Sequence, residues 1–164
     1  MFTKLVFDKE IYNEVILGII PKAHKYLWIG TSDIKDLYVE KNGKMIPFLQ
    51  ILSQLLQQKI EIRLLFAKEP GEAFRTDFDK FPVLANKLEQ FHCPRVHFKM
   101  VIVDGIIAYS GSANLTGAGM GAKSINNRNF ETGILTSDSN FVNELINQFD
   151  NVWMGKPVSY THLA

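Results

Sequence analysis

His97 and Lys99 stand two residues apart in a run that otherwise reads Val, Phe, Met, Val, Ile and Val. A strand alternates its side chains between two faces, so both basic groups fall on the same face. An imidazole and an ammonium there are costly unless something anionic satisfies them, and a bound phosphate would. Asp104-Gly105, between this run and a second apolar one, is a hairpin signature, because both central positions of a two-residue turn take positive φ. With Val103 opposite Ile106, Val101 faces Ala108, Lys99 faces Ser110 and His97 faces Ser112. One face of the hairpin is then apolar throughout. The other is apolar near the turn and carries His97, Lys99, Ser110 and Ser112 at its far end.

His97-Phe98-Lys99, Asp104 five residues after the lysine, Ser110-Gly111-Ser112-Ala113-Asn114 and later Asn129-Phe130-Glu131 together resemble the HxKxxxxD motif and downstream elements of the phospholipase D superfamily. The spacing is similar to that of its small bacterial nucleases, with a longer glycine-bearing loop before Glu131. The resemblance covers Arg95 to Ile134, about a quarter of the chain. It implies that His97 attacks phosphorus to form a phosphohistidine, splitting one difficult displacement into two easier ones. It implies that Lys99, Ser112 and Asn114 bind the non-bridging oxygens, and that Glu131 holds the imidazole tautomer whose attacking nitrogen is unprotonated. Asp104 belongs to the motif but falls on the opposite face from His97, at the turn, which reads as a structural role.

The leaving oxygen needs a proton, which a second motif supplies in the superfamily. This chain has one copy, since His24, His92 and His162 are not followed by a lysine two residues on. A homodimer bringing two copies of His97 to one cleft is the economical solution. Arg95, Lys123 and Arg128 flank the motif and can line a phosphate-rich groove or form a solvated rim. Gly117 to Ser124 approaches a phosphate-binding P-loop, but Ala122 stands where the second glycine is needed. His92, Cys93 and His97 lack a fourth ligand and make a poor zinc signature; no metal or other cofactor is expected.

The elements that must position these residues alternate. Asp8 can cap a helix with Ile11, Val15 and Ile19 on one face, ended near Pro21. Tyr26 to Thr31 reads as a strand, followed by a helix from Pro47 burying Phe48, Ile51, Leu52, Leu55 and Leu56. Ile60 to Phe66 alternates as a strand, and helical spacing returns with Phe74, Phe78, Phe81, Leu84 and Leu88, interrupted by Pro82. Strands follow at Val96 to Val103, Ile106 to Gly111 and Phe130 to Thr136, with Phe130 in the core. A last helix, capped by Ser137 or Asp138, carries Phe141, Leu145, Phe149 and Trp153. The pattern predicts an α/β fold, a mixed β-sheet with helices on both faces, as one domain over residues 1–156; residues 157–164 extend no periodicity.

At 164 residues, 46% hydrophobic and 21% charged, the chain can bury a single core and is far from the profile of disorder. A formal net charge of +1 gives no overall attraction to nucleic acid or membrane, so any such binding must be local. One cysteine excludes an internal disulfide, and no apolar run is long enough to span a bilayer, which points to a cytoplasmic protein. The resemblance implies a metal-independent phosphodiesterase, and the single short motif, without a long apolar lid, favours nuclease over lipase, on DNA or RNA. Phospholipid hydrolysis or phosphatidyl transfer, and a catalytically silent nucleic-acid-binding module, are the alternatives.

Overall fold

The computed structural model describes residues 1–117, 119–120 and 126–155. Its centre is a seven-stranded mixed sheet of order β1-β9-β8-β7-β2-β5-β6. The strands are β1 (Thr3–Phe7), β2 (Tyr26–Thr31), β5 (Glu61–Phe66), β6 (Glu89–His92), β7 (Met100–Val103), β8 (Ile107–Gly111) and β9 (Thr132–Thr136), with β3 (Tyr38–Lys41) and β4 (Lys44–Pro47) forming a separate hairpin. β2, β5 and β6 run parallel, while β7, β8, β9 and β1 follow as antiparallel neighbours. The helices are α1 (Lys9–Ile11), α2 (Phe48–Gln57), α3 (Glu72–Asp79), α4 (Pro82–Lys87) and α5 (Ser139–Trp153).

Alternation along the strands separates two cores. Leu27, Ile29, Ile62, Leu64, Val101, Val103, Tyr109 and Leu135 face the larger one, closed by α2, α4 and the N-terminal helical segment. Leu65, Met100, Ile102 and Ala108 face the smaller, closed by Val142 and Phe149 of α5. Helices thus cover both faces, as the sequence predicts.

Several expectations are corrected. The first helix continues from α1 as a π-helix over Tyr12–Ile19 and a 3-10 turn over Ile20–Lys22. Its wider turn buries Ile11, Val15, Ile16 and Ile20 and leaves Ile19 only partly buried. Asp8 makes no cap hydrogen bond there. On α5 the buried positions are Val142 and Phe149 while Phe141 is half exposed, because Asp138, the N-cap that accepts from the Asn140 N–H (2.9 Å), sets the helix rotation. Phe130 is 96% exposed and outside the core. Edge strands β1 and β6 carry mostly exposed side chains, which is why no apolar pattern announces them.

The hairpin between β7 and β8 has the expected turn but a shifted register. Asp104 and Gly105 take φ of 57° and 68°, and Ile106 N–H donates to the Val103 carbonyl at 3.0 Å. Val103 nevertheless pairs with Ile107, Val101 with Tyr109 and Met100 with Ser110. Ile106, 59% exposed, is an extra residue bulged out of the ladder, and one extra residue moves every later side chain of β8 to the other face. Ser110 therefore lies opposite Met100 and Ile134, on the α5 side, rather than opposite Lys99.

Candidate active site

One edge of the sheet collects the residues with chemistry. β2 ends there, β7 begins, β8 ends and β9 begins. His97, Phe98 and Lys99 are the three residues just before β7, short of the expected strand from Val96; Ser112 and Asn114 follow β8; Glu131 precedes β9. Phe98 packs its ring under Gly30, where a Cβ would come within 2.5 Å of it, and so turns with Met100 toward the α5 core. His97 is exposed and Lys99 partly buried. The Lys99 carbonyl accepts the Gly111 N–H at 3.1 Å, extending the ladder beyond β7. Among the described residues neither the His97 nor the Lys99 side chain makes a hydrogen bond or ion pair.

Ser112 and Glu131 meet directly. Ser112 Oγ lies 3.0 Å from Glu131 Oε1 and 3.2 Å from the Thr132 carbonyl, and accepts the Thr132 N–H at 3.0 Å. Its single proton serves one acceptor at a time, so the carboxylate and the carbonyl compete for it. Glu131 is clamped by its backbone: its N–H donates to Asp8 Oδ1 (2.8 Å) and its carbonyl accepts the Asp8 N–H (3.0 Å). Asp8 is thus a support for the site rather than a helix cap. The tautomer-holding bond from Glu131 to His97 that the resemblance implies is not formed; Glu131 engages Ser112 in this structure.

Asn114 is aimed by the end of β2. Its Oδ1 accepts from Ser32 N–H (3.2 Å), Ser32 Oγ (2.9 Å) and Asp33 N–H (3.1 Å), with Thr31 Oγ1 beside them at 3.3 Å. Backbone N–H groups can only donate, so the atom facing them is the oxygen, and the amide NH2 points elsewhere as a pair of donors.

Tyr109 forms the floor. It is fully buried, its hydroxyl accepts the Ala113 N–H at 3.2 Å, and the loop carrying Ser112 and Asn114 is held over it. Burial pushes its pKa up to about 12; the Ala113 N–H opposes the shift and the nearby Glu131 charge adds to it. Gly111 and Gly133 make room for the ring. A Cβ on Gly111 would stand 2.5 Å from the Tyr109 hydroxyl and 2.6 Å from Gly133 Cα.

Asp104 lies at the opposite edge of the sheet. Its carboxylate, 4% exposed, accepts the N–H groups of His24 (3.2 Å), Lys25 (2.7 Å) and Tyr26 (3.0 Å), and lies 2.7 Å from His24 Nδ1. It ties the β7–β8 turn to the start of β2, at the other end of β7 from His97 and Lys99. Arg95 is exposed and Arg128 partly buried in the segments leading to His97 and Glu131, while Lys123, like residues 157–164, lies outside the described residues. Asp8, Thr31, Ser32, Asp33 and Tyr109 escape sequence reasoning because their contribution is contact across the chain. Only the positive φ of Asp8 (50°), beside a residue type tolerant of it, has a local signature.

No group of three or more metal-ligating side chains occurs among the described residues, and none of their helices is long and apolar enough to cross a membrane. No curated protein matches the chain. Among solved structures it is similar to Nuc of Salmonella typhimurium, a phospholipase D family member, with TM-score 0.66 and 14% identity over 93% of each chain. It is also similar to NucT of Helicobacter pylori, with TM-score 0.63 and 13% identity over 92% of this chain and 95% of that one. The archaeal chromatin protein TrmBL2, whose structure shows a mode of DNA binding, shares the fold over 94% of this chain and 53% of its own, at TM-score 0.61 and 15% identity. At these identities the likeness is one of fold. The family described as cardiolipin synthase, PLD-like domain, matches residues 16–153, nearly the whole chain, and with that match the protein belongs to the phospholipase D superfamily and is a phosphodiesterase of it.

Proposed function

We propose that the protein hydrolyses phosphodiester bonds of nucleic acid, as a homodimer and without a metal ion. The observation that carries the reading is the convergence at one sheet edge of His97 and Lys99, which have no partner among the described residues, with the Ser112–Glu131 pair and the outward amide of Asn114. Lys99, partly buried and without a counter-charge among the described residues, is favoured by an anion beside it. His97 attacks phosphorus and the bond to the leaving oxygen breaks, with the proton for that oxygen coming from His97 of the partner subunit. Water then attacks the phosphohistidine, losing a proton to that same partner imidazole as the P–N bond breaks. Lys99, Ser112 and the Asn114 NH2 hold the charge on the non-bridging oxygens in both steps. Glu131 orients the hydroxyl of Ser112 in the resting site and takes the His97 ring N–H when substrate draws that hydroxyl away.

A surface suited to the second copy adjoins this edge. α5 packs against β7 and β8 and leaves the same face of β9 and β1 open, where Leu5, Phe7 and Ile134 are exposed among Thr3, Thr132 and Thr136 with no charged side chain between them. The site is incomplete without a second His97, and this apolar strip runs up to it.

A phosphatidyl substrate is the second reading, supported by the description of the matching family. Labelled DNA and RNA, single- and double-stranded, and a phosphatidyl lipid are incubated with wild type and His97→Ala in excess EDTA. The expected outcome is nucleic-acid cleavage that falls at least about a thousandfold in the variant. Cleavage unaffected by the substitution would sink the mechanism. Lipid turnover alone would replace the substrate, and salt-sensitive DNA binding with no turnover would leave a binding module.

A further inference from the structure

Phe130 is 96% exposed one residue before Glu131, in the stretch Asn126-Asn127-Arg128-Asn129-Phe130. Leaving a phenyl ring in water forgoes the stabilisation that burying it would bring, and this ring has a rigid root. The next residue is clamped in both directions by Asp8, through the Glu131 N–H to Asp8 Oδ1 (2.8 Å) and the Asp8 N–H to the Glu131 carbonyl (3.0 Å). The ring is therefore rooted one residue from the Ser112–Glu131 pair, on a fixed stretch of backbone, instead of swinging on a free loop. Its surroundings in the chain are amides and a guanidinium, groups that hydrogen-bond base edges and phosphates, whereas the apolar strip of Leu5, Phe7 and Ile134 lies on the sheet itself.

We propose that Phe130 is a stacking platform for an unpaired nucleobase next to the phosphodiester being cut, which makes a single-stranded segment the preferred substrate. This rests on the nucleic-acid reading above and adds to it a base-recognition subsite. A flat apolar face takes any base, so the subsite selects for unpaired bases without selecting a sequence. Arg128 and Asn129 flank it and are suited to the adjoining phosphate and base edge.

The test is the equilibrium affinity of the His97→Ala protein for two oligonucleotides of equal length, one of thymidylate and one with abasic residues, each measured with Phe130, Phe130→Ala and Phe130→Trp. Stacking on one ring predicts about a 5- to 100-fold loss of affinity for the thymidylate strand with alanine, recovery with tryptophan, and no change for the abasic strand. Because the ring touches so little of the protein, thermal melting of the variants should match that of the parent. Equal losses on both strands, or none, would overturn the subsite while leaving a nuclease that cuts in EDTA intact. A shift from dimer to monomer on Phe130→Ala, seen by sedimentation, would also overturn it by assigning the ring to the subunit contact. Base-dependent binding through Phe130 in a protein whose wild type cleaves no nucleic acid would keep the subsite and remove the hydrolytic reading.

Discussion

Asn114 shows how little freedom a site residue has here. Three donors from Ser32 and Asp33 converge on its Oδ1, with the Thr31 hydroxyl beside them giving its proton to the Asp33 carbonyl at 2.6 Å, so only its NH2 is left for a substrate. Asn114→Asp keeps an acceptor for those donors and replaces the outward amide with a carboxylate oxygen, which repels a phosphate. The expected result is a fold retained within a few degrees of melting temperature and a kcat lower by about a hundred- to a thousandfold. Unchanged kcat would remove Asn114 from the anion site. Its role and that of Glu131 are what the resemblance to the phospholipase D motif implies. The supports for both are not, since Asp8 meets Glu131 across 123 residues and Ser32 meets Asn114 across 82.

At the scale of elements, the β7–β8 hairpin shows where local reasoning stops. Its turn residues announce the left-handed conformations of Asp104 and Gly105, but not the bulge at Ile106 that turns Ser110 toward α5. A bulge is decided by which register buries more: with it, Tyr109 enters the large core and Ala108 fits beneath α5. Asp104 belongs to this scale as well. Asp104→Ala leaves the His24, Lys25 and Tyr26 N–H groups without their acceptor, and unfolding in urea should show a loss of about 3 kcal/mol. Activity per folded molecule should persist, because the carboxylate stands at the far edge of the sheet. A loss of kcat in fully folded protein would return Asp104 to the chemistry.

For the whole molecule, the proposed reaction needs two histidines where each chain carries one motif. One long helix, α5, crosses the face that bears β1 and β9 and leaves Leu5, Phe7 and Ile134 open beside the site. Leu5→Lys places a charge in the middle of that strip, on an edge strand where it can reach solvent within the monomer. Sedimentation should then show a monomer that melts like wild type and has lost turnover. A variant that stays dimeric and active would move the subunit contact to another face.

The kind of chemistry, the α/β alternation and most of the strands and helices follow from the sequence, because the HxK spacing, turn residues and apolar periods are each written within a few adjacent positions. Periodicity fails at the edge strands β1 and β6, where exposure on both sides erases it, and in the N-terminal helix, where a wider turn changes the period. Only the tertiary structure decides that Ser110 leaves the candidate site, that Phe130 stands in solvent and that Asp8, Tyr109 and the end of β2 hold that site in place. Those outcomes depend on which surfaces are covered and which distant groups meet, and contacts between segments far apart in the chain leave no mark in the spacing of either one.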